Sequence, residues 1–87
     1  MIDLFPQHPG WSLQTIRLLA EVAYGGADTF ECVEAAERIK AGDVESWQRE
    51  WVATAETVEA LAAEALAAGH EVSARQHFFR ASGYFRQ

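Results

Sequence analysis

Cysteine is all but missing from this chain: Cys32 is its only one, so no internal disulfide can form, and a reduced compartment fits. Proline is confined to Pro6 and Pro9, both in an opening stretch that reads as irregular. Basic side chains are few, seven against thirteen acids for a net charge of −6, which argues against a nucleic-acid or anionic-membrane surface. No apolar run approaches the roughly 20 residues that span a bilayer. The opening MIDLFPQHPGWS has no basic region and too short an apolar stretch for a secretory leader, so the cytoplasm is the expected location. The self-similarity at about 34 residues that a tetratricopeptide array requires is not evident either.

Chemical motifs are equally scarce. Gly10-Trp11-Ser12 begins like a GxSxG nucleophile elbow, but Leu13-Gln14 follow where a residue and a glycine are needed. There is no GxxxxGK[ST] or GxGxxG turn to cradle phosphate, and no HExxH or CxxC, so no cofactor and no metal site are expected. His8, His70 and His77 include one pair seven residues apart. That is about 10.5 Å along a helix, too far to share a metal without a third ligand.

What is present is helical pattern. Eighty-seven residues, 49% of them hydrophobic, make one small domain. A chain of this size buries about 60–65% of its unfolded surface, so its core is thin. The longest pattern runs Asp43–Gly69, with Val44, Trp47, Trp51, Val58, Leu61, Ala65 and Ala68 spaced three and four apart once Thr54 is admitted. Asp43 is suited to cap its start and Gly69 to end it in the left-handed region. Glu45 and Arg49 stand four apart on its solvent side. Trp47 and Trp51, one turn apart, are too large to leave in water, so other elements must cover them.

Before that helix, residues 1–11 read as an irregular arm whose Leu4, Phe5 and Trp11 must lie against a surface. Residues 12–87 read as the helical domain. Ser12 offers a cap for a first helix over Leu13–Tyr24, with Ile16, Leu19, Ala20 and Ala23 on one face. Asp28 with Glu31 forms a capping box opening a second helix, whose apolar side runs Phe30, Val33, Ala36 and Ile39. Gly42-Asp43 then makes a tight helix–helix corner. After Gly69 a fourth helix restarts with Ala74, Phe78, Ala81 and Phe85 on a stripe and Ser73 or His70 as its cap. The connection is too short for anything but an antiparallel αα-hairpin. In that hairpin Arg80 is expected near Glu59 or Glu64. Gly83 in mid-helix points to close backbone approach by another element. The pattern is still running at Phe85, with no punctuation after it, so Gln87 is expected to be a cut. The fold class is therefore all-α, a four-helix module with its long central helix paired in an αα-hairpin.

Most of the conspicuous side chains read as structural. His70 follows the helix-ending glycine, where an imidazole can satisfy helix-end groups, and His77 beside the stripe reads as a half-buried packing residue. Cys32 reads as a small core residue. The cluster Arg75, His77, Arg80 and Tyr84 is the one that could greet a ligand.

Three blocks carry a resemblance. They are Tyr24-Gly25-Gly26-Ala27-Asp28 with Glu31; Ile39, Gly42-Asp43, Ser46-Trp47 and Glu50-Trp51; and Gly69-His70, Ser73-Ala74-Arg75, Arg80-Ala81-Ser82, Tyr84 and Arg86. Together and in order, these resemble the N-terminal helical region of a group of serine-type α/β-hydrolases. The group includes 2,6-dihydroxypseudooxynicotine hydrolase, the fungal hydrolases that shorten polyketide pigment precursors, and FrsA-like esterases.

The resemblance implies a cap domain that shapes the substrate pocket of an α/β-hydrolase core and takes part in a dimer. It implies a core, in the same or a separate chain, that attacks an ester or an activated C–C bond through Ser, His and Asp. None of those catalytic residues has a matching position here. The carried-over scaffold is Trp47, Glu50, Trp51, Ser73, Arg75, Arg80 and Tyr84, with His70, Phe78 and Phe85 also expected to be structural. Phe78 and Phe79 stand where the family has other bulky residues. Two alternatives stay open: a free-standing helical binding module, and a helical dimer in which Trp47, Trp51, Phe78 and Phe85 meet their twins.

Overall fold

The computed structural model describes Phe5 and residues 7–87; Leu4 and Pro6 of the arm lie outside the described residues. Among these, the chain forms four α-helices and one 3-10 helix, with no strand. The elements are α1 (Pro9–Leu19), the 3-10 helix (Ala20–Tyr24), α2 (Thr29–Arg38), α3 (Val44–Ala67) and α4 (Glu71–Phe85).

The α3–α4 hairpin is the most extensive interface of the fold, and α2 packs on both α3 and α1. Asp43 caps α3 by accepting from the Ser46 amide at 3.2 Å, and Ser46 Oγ in turn accepts from the Lys40 amide at 2.8 Å. Those two bonds, with Gly42 at φ +85°, close the α2–α3 corner. At the other end the Gly69 amide donates to Leu66 and the His70 amide to Ala65. With Gly69 at φ +81°, this is a Schellman ending that turns the chain directly into α4. His70 serves it through its backbone; its imidazole makes no capping bond, and Ser73 is exposed within α4 rather than capping it.

The core is an aromatic run. Phe5 meets Trp11 edge-on and Trp47 at 5.9 Å, Trp47 meets Trp51 at 5.7 Å, and Trp51 stacks on Tyr84 at 5.9 Å. The expected cover for the two tryptophans is thus the arm, α1 and α4. Because Trp47 and Trp51 are buried within their own chain, they do not share an open stripe with Phe78 and Phe85.

Several faces differ from the expected ones. Helix α1 begins at Pro9, not after Ser12, because proline at the first helical position costs no hydrogen bond and has the right φ. Ser12 instead lies inside α1 and holds the arm: Phe5 N donates to its Oγ at 2.9 Å, and its hydroxyl donates to Phe5 O at 3.1 Å. The buried side of α1 is Ser12, Thr15 and Leu18; Ala20 and Ala23 are exposed. On α2 it is Cys32, Ala35 and Ala36 that are buried, with Ile39 just beyond, while Phe30 is exposed.

On α3 the buried line runs Trp47, Trp51, Thr54, Ala55, Val58 and Ala62, leaving Val44 and Leu61 exposed. On α4 it runs Ala74, Ala81, Gly83 and Tyr84, leaving Phe78 and Phe85 exposed. The hairpin buries alanines, which let two helices approach closely, and turns the bulky phenylalanines outward.

The expectation for Gly83 holds. A Cβ there would stand 3.1 Å from the Gly26 carbonyl oxygen, in the segment just before α2.

Candidate functional site

The densest polar arrangement joins the start of α2 to the second half of α4. The capping carboxylate of Asp28 accepts from the Glu31 amide at 3.0 Å, as the Asp-x-x-Glu spacing predicts. The reciprocal half of the box is absent. The Asp28 amide donates to the Tyr84 hydroxyl at 2.9 Å, and that hydroxyl donates to Glu31 Oε1 at 2.7 Å. Glu31 is thereby free to face α4, where Arg80 grips it through Nε at 3.0 Å and Nη2 at 3.2 Å. This two-pronged charged contact is the strong form of the ion pair. It replaces the expected contact of Arg80 with Glu59 or Glu64, because Arg80 faces α2 rather than the outer side of α3.

Electrostatics follow from burial and these bonds. Burial pushes the Tyr84 hydroxyl far above its ordinary range, and its bond to Glu31 adds to that. Burial alone would lower the Arg80 guanidinium, but the bonds to Glu31 outweigh it and hold the group above its usual value. Cys32 is fully buried beside the network, and burial drives its thiol up to about 11. Glu31 and Asp28 also raise it, while the Tyr84 hydroxyl partly offsets them. A thiol so protonated is no nucleophile near neutral pH. The arrangement is an ion-pair latch rather than a nucleophile–base pair.

A second latch links α2 to α3. Arg38 donates to Glu50 at 2.9 Å and to Thr54 at 2.8 Å. The Arg38 bond draws Glu50 below the ordinary carboxylate range. Glu50 also takes Arg49 at 3.5 Å, so Arg49 turns to its chain neighbour instead of Glu45.

Of the four candidate ligand residues, the fold brings two together: Arg80 and Tyr84, both on Glu31. Arg75 and His77 stand two positions apart on α4 and so point to different sides of it. Arg75 is exposed, whereas His77 is half-buried with Nδ1 buried and lacking a hydrogen-bond partner. Among the described residues no group of three or more His, Cys, Asp or Glu is placed to hold a metal ion.

Above the Glu31 latch lies a groove of about 500 Å³ between the 3-10 helix and α4. Its walls include Val22, Tyr24, Phe79 and Arg80. The sequence blocks contain Tyr24 and Arg80, but nothing in the spacing shows that they share a groove. The one available signal is Arg80 and Tyr84 at i and i+4, facing a capping-box acid.

The comparisons with known proteins agree on one direction. The chain is 45% identical over 76 residues to the hydrolyase poxO of Penicillium oxalicum, covering 87% of this chain and 18% of that protein. It is 43% identical over 86 residues to the hydrolyase ccsE of Aspergillus clavatus, covering 99% of this chain and 20% of ccsE. Over 76 residues it is 43% identical to the 20-hydroxy-prefusarin hydrolase FUS2 of Gibberella moniliformis, again 87% of this chain and 18% of the relative. The chain thus spans about a fifth of the length of the curated relatives it matches. No family model matches it, and no solved structure matches it.

Proposed function

We propose that this chain, whose homologues are fungal hydrolases, is the helical cap of a serine-type α/β-hydrolase, shaping the pocket and contributing to a dimer. The observation that carries the proposal is the lopsided coverage: 99% of this chain aligns with ccsE, yet it accounts for 20% of ccsE. Alignment nearly end to end with a fifth of a hydrolase supports reading the helical unit as an accessory part of such an enzyme. The all-α architecture supports the same reading, since a nucleophile elbow needs a strand running into a helix.

In the whole enzyme an ester, or a C–C bond next to a carbonyl, would be attacked through an acyl intermediate formed on the core's serine. The helical unit would exclude water and fix the pocket wall. Arg80 and Tyr84 serve that wall by locking α4 to α2 rather than by touching substrate. The exposed Phe78 and Phe85 favour a second reading, a free-standing binding or dimerisation module.

The test is fluorophosphonate labelling of the gene product in the cells that make it, followed by immunocapture of this chain and mass spectrometry. A labelled serine in the same polypeptide, or in a partner retained with it, is the expected result. A product of 9.7 kDa that retains no labelled protein would overturn the proposal.

A further inference from the structure

We infer that the groove between the 3-10 helix and α4 is the seat of the remaining hydrolase body, which inserts an apolar side chain between Tyr24 and Phe79. The inference rests on the proposed hydrolase reading and adds which face of the helices meets the body.

Large apolar side chains from two elements meet at this groove and are left in water. Tyr24 is 83% exposed, Phe79 49% and Val22 37%. Val72, 67% exposed, lies seven residues before Phe79 and so extends the same side of α4. A continuous exposed apolar surface built from separate elements marks an interaction site, whereas scattered single residues do not.

The walls are also fixed in place. Gly25, at φ +77°, ends the 3-10 helix, and the next residue's carbonyl packs on Gly83 of α4. Asp28 and Arg80, which also line the groove, are tied together through Tyr84 and Glu31. A groove already held open in this way loses little conformational entropy when filled. Because the Arg80 guanidinium is already paired with Glu31 and the Asp28 carboxylate caps α2, the fitting partner is apolar, with the lining Gln76 able to meet a polar backbone group.

The occupant follows from the relatives. Roughly four-fifths of poxO lies outside the matched segment, so a segment of this kind has a large body of its own polypeptide to meet. On the outer side of α3 the exposed Glu56 stands among the acids of that helix, and its exposed apolar neighbours Val52 and Leu61 do not line the groove beside Tyr24.

The experiment is site-specific photocrosslinking in the cells that make the protein, using its full natural polypeptide. Tyr24, Phe79 and Glu56 are replaced one at a time by p-benzoylphenylalanine, and crosslinked peptides are identified by mass spectrometry. All three positions are exposed, and each variant is required to keep the wild-type melting temperature within a few degrees.

Crosslinks from positions 24 and 79 to hydrolase sequence, at several-fold the yield from position 56, are expected. Crosslinks that favour position 56, or no crosslinks from 24 and 79 in a polypeptide that still carries a fluorophosphonate-labelled serine, would overturn the groove while sparing the hydrolase reading. Crosslinks to a second copy of this chain would overturn it in favour of a homodimer contact. Absence of any labelled hydrolase would overturn both.

Discussion

The Tyr84 hydroxyl stands inside the capping box of α2, accepting from the Asp28 amide at 2.9 Å and donating to Glu31 at 2.7 Å. A residue 53 positions from Glu31 thereby completes a motif that is usually local. Helix α2 has its full cap only when α4 is docked, so local and tertiary structure are coupled at this point.

Removing the hydroxyl should show that coupling. Tyr84→Phe leaves the stacking on Trp51 but strands the Asp28 amide in a part-buried site and removes one of the two bonds to Glu31 Oε1, which keeps Arg80. Loss of about 1–3 kcal/mol is expected in urea unfolding. An effect under about 0.3 kcal/mol would mean that water takes the hydroxyl's place.

The partner of Arg80 is open to a double-mutant cycle. Arg80 and Glu31 are 15% and 23% exposed at their side chains, and their two bonds should couple by about 1–3 kcal/mol. Arg80 with Glu64 should give no coupling. The reverse result would place α4 in a different register on α3.

Gly83→Ala sets helix propensity against space. Alanine gains about 1 kcal/mol in a helix interior, but its Cβ would meet the Gly26 carbonyl at 3.1 Å. The obstacle is backbone, not a flexible side chain, and Gly26 is itself hydrogen-bonded to Glu21. A net loss in melting temperature is expected; a gain would show that the segment before α2 can retreat.

Alkaline pH should weaken the fold. Burial raises the Cys32 thiol from 9.0 to about 11, so between these values the folded state holds a proton that the unfolded state has lost. Stability is fully present below pH 9 and declines as pH rises towards 11. Tyr84, raised for the same reason, extends the decline. Cys32→Ala should flatten the first part of the stability–pH curve, and the native thiol should react with Ellman's reagent only as fast as the chain opens. Rapid labelling at pH 8 would refute the burial.

Local signals and long-range consequences separate cleanly in this protein. The caps at Asp28 and Asp43, the ending at Gly69, the αα-hairpin and the burial of Trp47 and Trp51 were all legible, because each depends on residues within a few positions or on size alone. The close approach at Gly83 was legible too, since a mid-helix glycine needs a reason.

What spacing could not settle was which of two neighbouring stripes faces inward. On α4, Ala74, Phe78, Ala81 and Phe85 satisfy the helical period as well as Ala74, Ala81 and Tyr84 do. The choice fell to the tertiary structure, because close hairpin packing rewards small side chains and Tyr84, like Arg80 beside it, has a polar partner in Glu31 of α2. The partner of Arg80 and the groove beside Tyr24 follow from that same rotation of α4. The amino-acid sequence by itself therefore determined the helical class, the ends marked by Asp28, Asp43 and Gly69, and the hairpin pairing. Only the assembled fold decided where α1 starts and gives way to the 3-10 helix, and how the helices face, since facing depends on what every other helix presents.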